Sequence, residues 1–242
     1  MRDAPKIAAC YCYSILVVLF NSLHLADGLA VPAKTSPLEP LCLYREIPIS
    51  PSITSNDDTD GEDSGAVSIT TPQQLVSVQD LTPTIEALLE ESGIDQGTVT
   101  VISRHTTTAI TINELESRLQ RDITHTFLQL IPPDERSAAR QRQSGVRYEH
   151  NDIDQRPESA AEAERCRLNG WNVATDAAAL QAWRAQEPIN AHAHLLSMML
   201  GSSEAIPIVD GSMVIGQWQS VLLVDWDGPR ERTVGVQVMG FR

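Results

Sequence analysis

The segment from 203 to 238 constrains the fold most, because short β-branched runs alternate there with strong turn signals. Asp210-Gly211 and Asp227-Gly228-Pro229 are turn sequences, since glycine supplies the positive φ that a tight hairpin needs. The apolar runs around these turns have the length of strands: Met213–Ile215, Val221–Asp225 and Thr233–Val238. The segment therefore predicts an antiparallel β-meander near the C-terminal end of the sequence.

Gly216, Trp218 and Gln219 lie between two of these runs. A glycine that interrupts a strand-like run predicts a β-bulge or a close approach between backbones. From residue type alone, the interpretation that we favour for Trp218 is a core side chain whose indole N–H finds a carbonyl. A binding role for Trp218 is the alternative.

The same segment resembles a family signature. Its fixed residues follow one pattern: Ser203-x-x-Ile206-x-Ile208-x-x-Gly211-x(4)-Gly216-x-Trp218-Gln219-x-Val221. This pattern resembles that of the YjbQ family, also called the secondary thiamine-phosphate synthase family. Many fixed positions within about twenty residues make a chance match rare.

Three more blocks resemble the same family. The stretch from His105 to Glu114 is similar to the family pattern His-Thr-Thr-Ala-x-x-x-x-Asn-Glu, with Thr108 as an added hydroxyl. Tyr148-Glu149-His150 is similar to a Tyr-x-His segment, and the third block runs from Asn190 to Leu195. The resemblance covers about 66–242. We interpret about 153–186 as a lineage insertion that is longer than in compact bacterial members, typical of a fungal or algal long form.

Charge and lysine content exclude several classes of function. A formal net charge of −14 argues against a nucleic-acid partner, which calls for a basic surface. The two lysines, Lys6 and Lys34, both precede any plausible domain. Schiff-base chemistry, lysine-bound pyridoxal phosphate and a Walker-type phosphate lysine are therefore excluded from the folded part. Any phosphate must therefore be bound by arginine, hydroxyls, backbone amides or a metal.

The N-terminal residues 1–32 predict a signal or targeting segment. Arg2 and Lys6 precede the apolar run from Ile7 to Phe20, and small residues follow it. The run is shorter than the roughly 20 residues of a membrane span, so an anchor is the less favoured interpretation, and no stable span is expected after processing. The expected destination is the secretory pathway or a plastid.

Residues 33–65, rich in Pro, Ser and acidic residues, predict a disordered linker.

Residues 66–242 are expected to form one domain that contains both strand-like and helical patterns, and the resemblance implies the α+β class. Strands are expected at Leu75–Val78 and Thr98–Ser103. Helices are expected in four places: from a Thr82 or Thr84 cap to Gly93, Leu115–Leu130, Asp176–Trp183 and Leu195–Leu200. The resemblance implies an antiparallel or mixed sheet flanked by helices, in subunits that assemble as a homotrimer.

Three polar residues bracket an apolar strand in the first block. A buried strand explains Ile110 and Ile112, but it does not explain His105, Asn113 and Glu114. Unpaired burial of such groups costs a few kcal/mol each, so they face solvent, one another or a ligand.

Histidines from separate segments suggest a metal site. His105, His150 and His194 could bind a divalent ion, zinc or magnesium, and leave one coordination position open. His192 is expected to be structural: in a helix it would point about 200° away from His194, and the resemblance selects His194. Glu114 or Asp122 would then orient a metal ligand or act as general base. Asp122 is chosen because it matches the acidic position of the family. Asn113 is expected as a third catalytic residue.

The resemblance implies a reaction that joins a hydroxymethylpyrimidine diphosphate to a thiazole phosphate and expels pyrophosphate. Such a reaction needs a positively charged group beside the leaving diphosphate, because negative charge develops on it. The expected phosphate contacts are Arg104 or Arg230 and the hydroxyls of Thr106 and Thr107; Asn190, Trp218 and Gln219 complete the expected substrate-binding set. The alternatives are a non-catalytic trimeric metal- or ligand-binding protein and a metal-dependent hydrolase of another small molecule.

Overall fold

The computed structural model describes residues 38–51, 67–70, 75–134 and 147–242. The strands in these ranges are β1 Pro40–Ile49, β2 Val67–Thr70, β3 Leu75–Asp80, β4 Gln96–Ser103, β5 Thr108–Asn113, β6 Ser203–Val209, β7 Ser212–Met213, β8 Ser220–Gly228 and β9 Arg232–Phe241. The α-helices are α1 Thr82–Ser92, α2 Ser117–Leu130, α3 Ala160–Leu168, α4 Ala177–Gln186 and α5 Ala191–Leu200. Two short 3-10 turns, Glu149–Asn151 and Ile153–Gln155, precede α3.

The predicted signal segment, 1–32, lies outside the described residues. The predicted linker is wrong for residues 40–49, because these form β1, which pairs antiparallel with β9 along its whole length. The composition of the whole 33–65 segment favours disorder, and it did not reveal these ten residues, whose partly buried and exposed side chains largely alternate. In the part of the chain that the structure describes, no helix is long and apolar enough to cross a bilayer.

The predicted α+β class is confirmed, with the strands in two antiparallel sheets. The five-stranded sheet has the order β1-β9-β4-β6-β7, and the four-stranded sheet has the order β2-β3-β8-β5. The predicted C-terminal meander is wrong in one respect. The turn at Asp210-Gly211 joins the hairpin of β6 and β7, but β8 and β9 lie in different sheets.

The burial patterns of β8 and β9 explain this separation. Residues Val221 to Asp227 of β8 are all buried, so this strand must be covered on both faces. In β9, Val234, Val236 and Val238 are buried whereas Thr233, Gln237 and Met239 on the other face are more exposed, which is typical of a strand with one solvated face. The two strands therefore belong to different layers.

The first hydrophobic core lies between the two sheets, with α1 closing one side. It joins buried side chains of α1, β4, β5, β6, β8 and β9: Leu81, Ile85, Leu88, Leu89, Ile94, Val99, Val101, Ile110, Ile206, Ile208, Val221, Leu223, Val234, Val236 and Val238. Gly93, with a φ of 64°, ends α1 as predicted, and its N–H donates to the carbonyls of Leu89 and Glu90. The predicted threonine cap is wrong, because Thr82 uses its hydroxyl to accept the Val221 N–H.

The second core covers the opposite face of the four-stranded sheet. Helices α2 and α5 pack there on β3 and β8, and the buried side chains come from β3, α5 and β8: Val76, Val78, Ala193, Leu196, Leu222, Val224 and Trp226. Phe127 of α2 meets Trp226 edge to face, with ring centroids 5.7 Å apart. The layers are thus sheet, sheet and helices, with β8 in the middle layer.

A buried ion pair joins β8 to the start of β9. Arg232 donates to both carboxylate oxygens of Asp225, at 2.8 and 2.6 Å, and to the carbonyl of Asp227 at 3.1 Å. Both side chains are almost fully buried. The two parallel hydrogen bonds hold the chain where it passes from β8 in one sheet to β9 in the other.

We predict that Arg232→Met lowers the free energy of unfolding by about 3–5 kcal/mol, since it leaves the carboxylate of Asp225 buried without its partner. Urea unfolding measures the change. The control is Arg242→Met, which removes the exposed pair with Glu39 and should leave the free energy of unfolding nearly unchanged, because water screens an exposed pair. Equal losses in the two variants would contradict the prediction.

His192 is fully buried in α5, and neither ring nitrogen has a hydrogen-bond partner in the described part of the chain. Burial lowers the pKa of His192 to about 4, against the weaker opposing effect of the Asp134 carboxylate. The folded protein therefore holds this imidazole in its neutral form at neutral pH.

We predict that His192 makes the protein less stable as the pH falls from 6.5 to 4. The unfolded chain takes up a proton over this range and the folded chain does not, so the contribution reaches roughly 3 kcal/mol at the lower end and is absent above pH 6.5. Urea unfolding of the wild type and His192→Gln across this range measures the difference in slope. His125→Gln, at an exposed position, is the control, and parallel curves for wild type and His192→Gln would contradict the prediction.

Candidate functional site

A cluster of polar side chains lies where β5 begins and β8 ends. Thr108, the first residue of β5, is paired with Asp225 near the end of β8. The loop before β5 contributes His105, and α5 begins beside the same strand ends with Asn190. The cluster is therefore assembled from segments that are distant in the sequence.

His105 and His194 line one cleft of about 640 Å³, together with Arg104, Thr106 and Ser197. The His105 Nε2 accepts the backbone N–H of Thr233 at 2.8 Å, which fixes the ring against the start of β9. Burial and the charge of Arg232 lower the pKa of His105. The ring is neutral at neutral pH as a result.

His150 and His194 are in direct contact. Their ring centroids are 4.8 Å apart, and the ring planes are inclined by 71°. Burial is the main cause that lowers the pKa of each ring, and the charge of Arg156 adds to it. The backbone of Thr106 hydrogen-bonds to His194 and favours its protonated form. Two imidazoles that remain neutral near pH 7 can accept protons from a bound molecule.

Asn190 and Asp227 form the buried side of this cluster. The Asn190 Nδ2 donates to the Asp227 Oδ2 at 2.8 Å, and the Arg230 guanidinium lies 3.5 Å from the same oxygen. Burial raises the pKa of Asp227, although Asn190 and the nearby arginines oppose the shift. The Asp227 carboxylate in turn favours protonated His194. This arrangement suits a histidine that gains and loses a proton during a reaction.

A second buried network holds the His150 turn against α5. The Asp134 carboxylate accepts the Asn151 side-chain amide at 3.0 Å and the Tyr148 backbone N–H at 3.2 Å. The Asn151 Oδ1 in turn accepts the N–H of Ala191 in the first turn of α5, at 3.0 Å. Because His150 lies between Tyr148 and Asn151, this network places its ring beside His194.

The described residues contain no group of three His, Cys, Asp or Glu side chains that could hold a metal ion. The predicted ligands His105, His150 and His194 do not form such a group, and the Nε2 of His105 is already occupied by a backbone N–H. His150 and His194 are the two predicted ligands in ring contact. The residues of the single chain therefore do not fit the predicted three-histidine site.

The predicted catalytic residues Asn113, Glu114 and Asp122 lie away from the histidines. Asn113 ends β5 and pairs with Ser220, whereas the histidine cluster is at the Thr108 end. Five residues of extended strand separate these ends by about 16 Å. Asn113 and Glu114 are exposed, as is Asp122 on α2. Within one chain Asn113 and Glu114 therefore lie on a different surface from the histidines.

Trp218 and Gln219 lie near this second surface, directly before β8. The preferred core position for Trp218 is wrong, since its side chain is 71% exposed. The Gln219 Oε1 accepts the Gly216 N–H at 2.7 Å and closes the turn. Gly216 lies between β7 and β8 rather than within a strand, so the predicted bulge is wrong. Of the predicted hydroxyls, Thr106 lines the cleft and Thr107 is buried outside it.

Several residues of the cluster were missed by the sequence analysis, namely Asp134, Asn151, Asp225, Asp227 and Arg232. A usable signal existed for two of them. Asp225 and Asp227 interrupt an apolar, strand-like run, and carboxylates in such a run require partners when buried. Asp134 and Asn151 stand in loop-like sequence with no distinguishing pattern.

Known proteins are similar to this chain over most of the domain. The family model described as UPF0047 protein YjbQ-like matches residues 66–241. A UPF0047 protein of Methanothermobacter thermautotrophicus is 33% identical over 165 residues, which cover 68% of this chain and 84% of the relative. The UPF0047 protein YugU of Bacillus subtilis is 26% identical over 162 residues, which cover 66% of this chain and 88% of YugU.

Solved structures have the same fold. A hypothetical protein from Aeropyrum pernix K1 matches with a TM-score of 0.52 and 25% identity, covering 82% of this chain and 98% of its own. A YbjQ-like protein of unknown function from Sulfolobus solfataricus P2 matches with a TM-score of 0.50 and 24% identity, covering 84% of this chain and 99% of its own. The resemblance in the sequence blocks is thus confirmed, and the chain belongs to the YjbQ-like UPF0047 family.

Proposed function

We propose that the protein is a transferase with secondary thiamine-phosphate-synthase activity on small phosphorylated heterocycles. The observation that supports it most is the contact of two neutral histidines, His150 and His194, beside the buried Asn190–Asp227 pair and an open cleft. The family resemblance supplies the reaction. Geometry and pKa directions support proton transfer at this cluster.

In the proposed reaction the thiazole nitrogen forms a bond to the pyrimidine methylene carbon, and the bond from that carbon to the diphosphate breaks. Pyrophosphate leaves with the bonding electron pair. His194 is placed to donate a proton to the leaving diphosphate: burial keeps most of the rings neutral, but Asp227 and the Thr106 backbone partly offset this effect and stabilise the protonated fraction. His150, in contact with His194, exchanges that proton with solvent, since its side chain stays open to solvent on one side despite the partial burial that lowers its pKa.

Positive charge for the diphosphate comes from arginine in this proposal. Arg104 lines the cleft and is exposed, although it is paired with Glu46. Arg230 is exposed beside Asp227. A divalent ion, zinc or magnesium, remains part of the proposal as a component to be tested by metal analysis. No step is assigned to it, because the residues of one chain do not fit the predicted site.

We predict that His194→Ala and His150→Ala each lower the synthase rate by roughly 10²–10⁴-fold, the usual effect of losing a general acid or base. The rate of pyrophosphate release from the two heterocyclic substrates is measured. His125→Ala is the matched control, because His125 is an exposed histidine on α2 outside the cluster. Wild-type turnover in both cluster variants would contradict the site.

The same assay separates the alternatives. Binding of substrate or a stoichiometric metal without any turnover would favour a non-catalytic trimeric binding protein. Phosphate release from one substrate alone would favour a hydrolase. Either result would leave the histidine cluster as a binding site and overturn the transferase proposal.

We also propose that the protein functions as a homotrimer whose active site is shared between subunits. Two observations support a shared site. The expected catalytic residues Asn113 and Glu114 lie at the other end of β5 from the expected histidine ligands, and large apolar side chains such as Met198 and Trp218 are 82% and 71% exposed. A subunit interface would cover such side chains and could bring Glu114 of one subunit to His194 of another.

We predict complementation between inactive subunits. Glu114→Ala and His194→Ala homotrimers should each be inactive, but refolding an equal mixture should restore about one quarter of the wild-type rate if each site takes one residue from each of two subunits. Light scattering checks for a mass of three chains. A trimer whose mixture stays inactive would place both residues in the same subunit and contradict the shared site.

The N-terminal segment adds a proposal on location. Residues 1–32 would direct the protein to the secretory pathway or a plastid, and a membrane anchor is the less favoured outcome.

A further inference from the structure

A second cavity lies within the predicted insertion and shares no lining residue with the histidine cleft. Its volume is about 340 Å³, and it is formed mainly by α3, α4 and the residues that flank them. The lining residues that carry the inference are Arg156, Glu162, Arg165, Cys166, Trp171 and Trp183. The size is within the range of small-molecule sites in proteins.

Two indoles give this cavity flat apolar surface. Trp183 is buried at 7% exposure, and Trp171 is half-buried. The guanidinium of Arg156 lies over the Trp183 ring, 5.4 Å from its centroid. Indole surface with a guanidinium beside it favours a planar ring as the occupant.

The charges of the lining are paired, with one exception. Arg156 binds Glu187 at 3.0 Å, with both side chains mostly buried. Glu162 accepts the backbone N–H groups of Glu158 and Ser159 at the start of α3. Arg165 is exposed and makes no salt bridge with a described residue, although its charge helps to lower the pKa of Glu162 on the same helix. One guanidinium is therefore available to a ligand, and a guanidinium matches a carboxylate with two parallel hydrogen bonds.

We propose that this cavity binds a planar heteroaromatic carboxylate, with the ring against the indoles and the carboxylate on Arg165. The volume accommodates one ring or two fused rings. The inference goes beyond the proposed transferase and does not depend on it, because no residue of the histidine cleft lines this cavity.

Cys166 provides a reporter inside the cavity. Its side chain is half-buried, and burial raises the pKa of the thiol, as does the charge of Glu187. The thiol is therefore mostly protonated at neutral pH and reacts slowly with alkylating reagents. A ligand in the cavity should slow this reaction further.

The test uses the full chain and two probes, nicotinate for one ring and quinoline-2-carboxylate for two. Calorimetry measures binding, and mass spectrometry follows alkylation of Cys166 by N-ethylmaleimide, with the exposed Cys42 as internal reference. We expect saturable binding of at least one probe at millimolar concentration or below and slower alkylation at Cys166 only. Neutral nicotinamide and non-aromatic cyclohexanecarboxylate should bind about tenfold more weakly or not at all.

Arg165→Ala should weaken binding of the carboxylate probe by about tenfold or more. Arg167→Ala is the matched control, because Arg167 is on the same helix, pairs with Glu164 and does not line the cavity. The proposal is overturned if neither probe saturates, if Cys166 is not protected, or if the two arginine variants bind equally well.

Discussion

The burial of two carboxylates in β8 is the constraint on which the rest of the structure depends. This strand is covered on both faces, so Asp225 and Asp227 lie almost out of contact with water. Burial of a charge is tolerated only with strong partners. Arg232 supplies them for Asp225 and Asn190 for Asp227, which ties β9 and the start of α5 to the same strand end.

The functional cluster is a consequence of these ties. Once Asn190 is fixed on Asp227, the first turn of α5 presents His194 to the cleft. The Asp134–Asn151 network then binds the preceding turn to α5 and brings His150 into contact with His194. The side chains that position the site are thus more deeply buried than the histidines to which we assign the proton transfer.

Sequence patterns predicted much of the local structure and less of the site. The periodic apolar residues of α1 and α2 and the turn at Asp210-Gly211 were sufficient for those elements, because helix faces and tight turns depend on neighbours along the chain. The family blocks selected His150 and His194, which do meet. They also selected Asn113 and Glu114, which β5 carries to its other end. Spacing in the sequence does not show which functional residues will lie at the same end of a strand in the folded protein.

The sequence by itself determined the α+β class, the family and the absence of lysine chemistry from the domain, since composition and fixed motifs are properties of the chain alone. Tertiary structure decided that β8 and β9 separate into two sheets, that β1 completes one of them, and that an aspartate and an asparagine hold the histidines. The reason is physical: burial on both faces and pairing of buried charge depend on residues far apart in the chain, which only the folded arrangement brings together.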